Sequence, residues 1–517
     1  MLEARVHEQL RAFLRHQGYT DWPHHLTMAR LTARALRLGR SSLMQVSSTA
    51  LYQGHYRLSY LMSLLIWPEP VILILSETAQ QMVQRVEIPR LQEWMPSQKP
   101  VHVGHEWPGE DFRGVLLTTP QVWLRDRLSG KNRFPAGIPV VIDGADDLED
   151  WIRECLTVTL DADAWQMLMQ AYPHRQDLIR DTRVQLTHSV FQHPPNPYQC
   201  HLVEASEHQV LLELHQVLLQ EPVGQSAMPT RWQQLWLQIA RAESLLWVHL
   251  NREVGQWTLH CAPVNLTLLM ADFWQQQPLV LIGGALDLTS EATYYRQRLG
   301  LGDMTCLKFG PDRQTEEIQL YLPDRIPFPN TPEFQPKLLE EVAYLICQNA
   351  KRQGLTVVLV GDTPLKKQVA AVLAAQFGSR VQLETQTLTD NGVLVSGWRY
   401  WREHQAQLPP PTLLVIATLP IPSREDPLVA GRIAYYKNSR QDWFRLYLLP
   451  TALNELQRAI APVRHNQGVV ALLDNRVNHR SYGRQILDAL SPAVHLPQFH
   501  DLWLSDSSSL PQRGRRF

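Results

Sequence analysis

The feature of this 517-residue chain that most limits its fold is a series of short, unbroken apolar runs. They are PVVID at 139–143, PLVLIGG at 278–284, TVVLVGD at 356–362, TLLVIA at 412–417 and GVVALLD at 468–474. A strand with one wet face alternates apolar and polar residues. A continuous run instead suits a strand covered on both faces, as in a parallel sheet flanked by helices. Helical patterns fall between the runs. Gln335 to Gln353 places Leu338, Leu339, Val342, Leu345 and Ile346 on one face, with Gly354 as the stop. In the next, Thr363 caps the start, Pro364 takes the first helical position, and Gly378 ends LKKQVAAVLAAQF. The alternation predicts α/β architecture with right-handed crossovers.

Loop signals at HPPNPY (193–198), PVGQSAMPT (222–230), PDRIPFPNTPEFQP (323–336) and the three prolines 409–411 mark seams. The segment 156–255 lacks buried-strand runs and reads as helical, as in RWQQLWLQIARAESLLWVHL. The expected organisation is a first α/β unit over 1–155, a helical insert over 156–255, a return to the first unit over 256–290, a second unit over 291–500 and a flexible, mildly basic tail over 501–517. No internal repeat is evident.

Composition narrows the setting. Cys155, Cys200, Cys261, Cys306 and Cys347 are scattered, with no C-x-x-C pair, which argues against a zinc ribbon or a disulfide framework and for a reducing cytoplasm. The opening MLEARVHEQLRAFLRHQ mixes charges with apolar residues at helical spacing, unlike a signal peptide. The greasy stretch Tyr60 to Leu75 is broken by Pro68, Glu69 and Pro70 and is too short for a bilayer core of ~30 Å, so a soluble protein without a membrane partner is expected. With 49 Lys+Arg against 50 Asp+Glu, any nucleic-acid surface must be local. Exposed members of the sixteen tryptophans would stack on unpaired bases, although core packing is the commoner use.

Two segments bear on chemistry. In SLMQVSSTALYQGHYRLSYLMSLL a strand, a small-residue loop and a helix follow in the order that cradles phosphate. Gly54, however, is followed by His55, Tyr56 and Arg57 rather than Lys and Ser or Thr. The segment GIPVVIDGADDLEDW puts Asp143 at the carboxyl end of a buried strand, where it serves either as a Mg²⁺-supporting carboxylate or as an ordinary turn former. A hydrolase of this type wants Glu next to orient the attacking water, and the chain has Gly144.

The blocks ATLPIPSREDPLVAGRI (417–433), WFRLYLLPTALNELQRAI and GVVALLDNRVNHRSYGRQIL resemble the second motor lobe of DinG/XPD-family superfamily 2 DNA helicases. Earlier segments then fall into the family's order. DWPHHLTMARLTARAL resembles the adenine-sensing entry helix, GVLLTTPQVWLRD a strand and turn that contacts DNA backbone, IDGADD the D-E-A-H position, and WTLHCAPVNLTLLMADFWQQQPLVLIGGALDLT the approach to the S-A-T-L coupling motif. TVVLVGDTPLKKQVAAVL resembles the start of lobe two. The resemblance implies two RecA-like lobes of P-loop-NTPase type with parallel sheets and an arch-like insert, an ATP and Mg²⁺ requirement, and single-stranded DNA or another nucleic acid as partner, with a repair or replication protein beside it.

The departures concentrate at the chemistry. His25 replaces the adenine-contacting Gln, and His55, Tyr56 and Arg57 stand at the phosphate-loop Lys and hydroxyl positions. Gly144 replaces the catalytic Glu, and Gly283 and Ala285 stand where coupling hydroxyls belong. Of the two arginines that would meet the γ-phosphate, the first is Ala461 and the second matches Arg464. The carried-over catalytic pair is therefore Asp143, also the metal ligand, and Arg464, with His25, Gly54, His55 and Arg57 lining a degenerate nucleotide site. GWRYWRE offers Trp398, Arg399, Trp401 and Arg402 to a strand, or packs two tryptophans under arginine stems. No cysteine lies between Gly54 and Asp143, so no iron–sulfur cluster is expected. Losing a general base alone costs about 10²–10⁴ in rate. The expectation is a helicase-related protein with weakened or lost hydrolysis; an active 5′-to-3′ helicase using substitute residues and a protein-interaction scaffold are the alternatives.

Overall fold

The structure, a computed structural model, describes residues 2–18, 22–95, 99–220, 227–241, 243–311, 313, 315–389 and 391–499. The expected tail at 501–517 lies outside the described residues. The first lobe begins with β1 (Ser42–Gln45), β2 (Val71–Ile74), β3 (Val101–Val103), β4 (Val115–Thr118) and β5 (Val140–Asp143). The chain then leaves through β6 (Val158–Leu160), β7 (Cys200–Leu202), β8 (Ser244–Asn251) and β9 (Gln256–Pro263). It returns with β10 (Leu279–Gly283) and β11 (Thr305–Lys308). The first sheet runs β11-β1-β10-β5-β2-β4-β3, all parallel.

The second lobe contains β12 (Ile318–Tyr321), β13 (Thr356–Leu359), β14 (Val381–Leu383), β15 (Val393–Ser396), β16 (Leu413–Ile416), β17 (Val469–Leu472) and β18 (Ala493–Leu496). Its sheet runs β14-β15-β13-β16-β17-β12-β18, again all parallel. The α/β expectation therefore holds. Every apolar run named above becomes a strand, and their alternate residues feed two cores. Leu43, Ile72 and Ile74 pack on one face of the first sheet while Met44, Val71 and Leu73 pack on the other. In lobe two, Val357 and Leu359 face one core and Val358 and Val360 the opposite one. This two-sided burial is why the sequence shows no alternation.

The insert differs from the expected all-helical segment. Among its described residues it has four α-helices (Ala162–Ala171, Gln176–Gln192, Ala205–Leu219, Thr230–Ile239), but they pack against a four-stranded antiparallel sheet ordered β6-β9-β8-β7. SLLWVHLN, read as the end of a helix, is β8, half-buried with its neighbours across the hairpin. Its branched and aromatic side chains suit a pleated, half-covered surface, and pairing with β9 decided the outcome. The insert consequently runs to Pro263 rather than 255, and the first sheet reclaims the chain as far as Lys308, beyond the expected 290.

Smaller adjustments have local causes. Helix Thr363–Phe377 starts as expected, but the cap is Asp362, whose carboxylate accepts from the Leu365 amide at 2.7 Å; a carboxylate at the positive helix end outcompetes the adjacent Thr. Helix Pro427–Asn438 crosses from lobe two onto the insert, where a Cβ on Gly431 would come within 2.4 Å of Leu245. Among the described residues no helix is long and apolar enough to cross a membrane.

Candidate functional site

The strand-to-helix turn of lobe one is wound up. Ser47 accepts from the Ala50 amide through its hydroxyl and starts a short helix, Ser48–Gln53, where an extended phosphate cradle is expected. Gly54 ends it at φ +76°, and Arg57 opens the next helix, Arg57–Ile66. The Arg57 guanidinium folds back over Gly54, so that a Cβ there would lie 2.5 Å from Nη1. The left-handed backbone favours glycine at this point.

Asp143, at the end of β5, lies beneath this turn. Its Oδ2 accepts from Arg57 Nε at 2.9 Å and from the Tyr60 hydroxyl at 2.7 Å, and the Tyr56 hydroxyl donates to Oδ1. The carboxylate side chain is 2% exposed and the Arg57 side chain 16%. Burial and the adjacent Asp143 charge raise both tyrosine pKa values, so both hydroxyls keep their protons to donate. Burial likewise pushes the Glu87 carboxyl up to about 7, against the pull of Arg57 at 3.7 Å. Such a buried pair persists because separating either charge from its partner is costly.

His25, expected at the adenine position, is buried, shares a 2.9 Å hydrogen bond between Nδ1 and Ser59 Oγ, and meets Trp22 edge-on at 5.2 Å. Burial, aided by His55, lowers its pKa to about 4. These residues do not fit Mg²⁺-ATP chemistry. No lysine follows Gly54, Gly144 supplies no base, and Asp143, expected as the metal ligand, has both oxygens engaged by side chains. The described residues contain no group of three or more His, Cys, Asp or Glu able to hold a metal ion.

Around this cluster the lobes touch directly. Within lobe one, Asp146 accepts from the Gly284 amide at 2.9 Å and the Ala285 amide at 2.6 Å, which ties the loop after β5 to the end of β10. Arg458 of lobe two reaches Asp147 at 2.7 Å, and Asn454 donates to the Ala285 carbonyl at 2.5 Å. Ser47 donates to Glu316 at 3.0 Å, and Gln53 meets His465 at 2.5 Å. Sequence reading missed Arg458: it sits three residues before Ala461, and nothing local marks its partner, 311 positions away.

Arg464, expected at the γ-phosphate, is elsewhere. Its guanidinium is buried and donates to the carbonyls of Glu316, Leu490, Ser491 and Pro492 at 2.6–3.0 Å, stapling the start of β12 to the turn before β18. The expected strand-facing tryptophans are also core residues. Trp398 is 9% and Trp401 1% exposed, and Trp401 Nε1 donates to the Ala459 carbonyl at 3.0 Å. Arg402 pairs with Glu455 at 2.5 Å; Arg399 is exposed and pairs with Glu403 at 2.9 Å. Both tryptophans therefore pack in the core of lobe two.

The molecule is thus a two-lobed RecA-like protein with its cleft bridged by side chains. Residues 411–493 match the model of the helicase C-terminal domain. The 3′-5′ exonuclease DinG of Bacillus subtilis (strain 168) is 22% identical over 285 residues, 50% of this chain and 30% of DinG. The ATP-dependent DNA helicase YoaA of Escherichia coli (strain K12) is 22% identical over 253 residues, 46% of this chain and 39% of YoaA. The matched regions thus span only 30% and 39% of these curated relatives' own length. An XPD helicase structure superposes with a TM-score of 0.57 at 11% identity, covering 91% of this chain and 99% of that one. Xpd4 of S. tokodaii gives 0.56 at 13%, covering 92% and 99%. The chain is thus similar to the helicases DinG and YoaA over about half its length and shares the two-lobed fold of the XPD structures.

Proposed function

We propose that this chain is a nucleic-acid-binding relative of the DinG/XPD helicases that keeps the two-lobed clamp and has lost ATP hydrolysis, acting in DNA repair or replication in the cytoplasm. One observation carries the reading: Asp143, the carboxylate the motor would use to support Mg²⁺, is held by Arg57, Tyr56 and Tyr60. An activated water has no base here, since Gly144 follows Asp143. The names of DinG and YoaA support nucleic acid as the ligand class, and YoaA's supports nucleotide binding by an ancestor of this cleft.

Steady-state ATP hydrolysis with Mg²⁺, with and without single-stranded DNA, tests the reading, beside an Asp143→Ala control. No turnover together with salt-sensitive DNA binding is the expected result. DNA-stimulated turnover that disappears in the control would replace it with an active helicase using Arg57 as substitute cation. No turnover and no DNA binding even at low salt, where phosphate contacts are strongest, would leave a protein-interaction scaffold.

A further inference from the structure

Lobe one, lobe two and the edge of the insert meet around a cavity of about 280 Å³. Helix Leu148–Leu156 contributes Glu149 and Arg153, helix Thr293–Leu299 contributes Arg298, and helix Pro427–Asn438 contributes Arg432. Two guanidiniums pair with one carboxylate, and a third stands close enough to lower its pKa. Glu149 takes Arg153 at 3.0 Å and Arg298 at 3.3 Å, while Arg432 donates to the Tyr447 hydroxyl at 3.5 Å. Burial raises the Glu149 pKa, but Arg298, Arg153 and Arg432 together override it and hold it at about 2. Arg298 Nε is buried without a hydrogen-bond partner. Asp150, the next carboxylate, lies 3.9 Å from Arg402 and its charge also acts on Arg432.

A surplus of positive charge in a partly desolvated pocket, three guanidiniums against Glu149 and the more exposed Asp150, is an anion site in waiting, because guanidiniums recognise phosphate oxygens bidentately. The remaining walls are aromatic and polar. Tyr436 stacks on Tyr447 at 6.1 Å and 18°, and the Asn265 amide donates to the Tyr435 hydroxyl at 3.2 Å. Glu149, Arg153 and Arg298 side chains remain 16–20% exposed, so the pocket opens to solvent. Its position, on a three-way junction away from the Asp143 cluster, suits a strand running across both lobes.

We propose that this cavity binds a phosphate of single-stranded nucleic acid, with Arg298 and Arg432 meeting the phosphate oxygens and the tyrosines flanking the adjoining sugar and base. The site deepens the clamp reading above and rests on it. Arg153 is the positioning residue: it donates to the Pro263 and Val264 carbonyls at 2.9 and 3.0 Å and so fixes the insert's return over the pocket.

The test is fluorescence anisotropy of a labelled oligothymidylate on the full chain across a salt series. Arg298→Ala and Arg432→Ala each weaken binding about tenfold and lower the salt slope by about 0.7, the contribution of one released counterion on a single strand. Glu149→Gln works in the opposite direction, tightening binding and steepening the slope, a result that a merely misfolded variant would not give. Arg298→Lys keeps the slope and loses part of the affinity. Wild-type affinity and slope in the folded alanine variants and in Glu149→Gln would overturn the pocket assignment and leave the clamp reading intact. A wild-type chain that binds no oligonucleotide at low salt would remove both. Displacement of the oligonucleotide by micromolar inorganic phosphate would reassign the pocket to a free phosphate and overturn the strand proposal.

Discussion

At the scale of single residues, Arg57 and Asp143 decide what the cleft can do. Either partner alone is a buried charge, so Arg57→Leu or Asp143→Leu should destabilise the protein by about 3–5 kcal/mol, whereas the double substitution should recover much of that loss. Denaturant unfolding of the four proteins in a mutant cycle checks this, and additive losses would show that the ion pair is not coupled. Trp401→Ala should cost about 3–5 kcal/mol of stability, with DNA affinity unchanged when the protein is assayed folded. Weakened DNA binding at unchanged stability would return Trp401 to the strand. Part of this site was legible: Gly54, Asp143 and the missing Lys and Glu stand in plain sequence. That Arg57 neutralises Asp143 was not, because the two lie 86 positions apart and only the pairing of β5 with its neighbours brings them together.

At the scale of elements, the buried parallel strands were readable and the insert was not. A strand buried on both faces writes itself as an apolar run whatever surrounds it. β8 and β9 have one partly open face and aromatic residues at mixed spacing, so their state depended on each other. The helix Thr293–Leu299, which presents Arg298, ends on Gly300 at φ +66°, where a Cβ would lie 2.1 Å from the Thr267 carbonyl. Gly300→Ala therefore forces a backbone shift and should destabilise lobe one by about 2 kcal/mol or more, read as a lower thermal midpoint. An unchanged midpoint would mean that the two helices are not held in this contact.

At the scale of the whole molecule, the lobes are joined by contacts between polar groups. Arg458→Ala removes the 2.7 Å link to Asp147 and should loosen the lobes, seen as faster limited proteolysis of the 309–317 connection; an unaltered digestion rate would discount the latch. Acid stability combines opposing groups. His25 and His260 stay neutral in the fold down to about 4, below their ordinary 6.5, so the unfolded chain binds more protons and stability falls as pH drops through that interval. Glu87 keeps its proton up to about 7 instead of 4.5, so its share of stability rises as pH drops from 7 to 4.5. Chemical denaturation at pH 6.5 and 4.5 should show a net loss on acidification, with Glu87→Gln losing more by about 1.4 kcal/mol per pH unit; a smaller loss in Glu87→Gln would reverse this assignment.

The sequence by itself determined the layered α/β architecture, the order of its helicase-like blocks and the absence of the motor's lysine and glutamate, because these are written in local composition and spacing. The tertiary structure alone decided that Asp143 is sealed by Arg57, that Arg464 and Trp401 serve the core, that Arg458 bridges the lobes, and that Arg298 reaches Glu149 from another helix. Each of these is a pairing of charges or polar groups distant in the chain, and such pairings carry no periodic signal until the sheets bring their ends together.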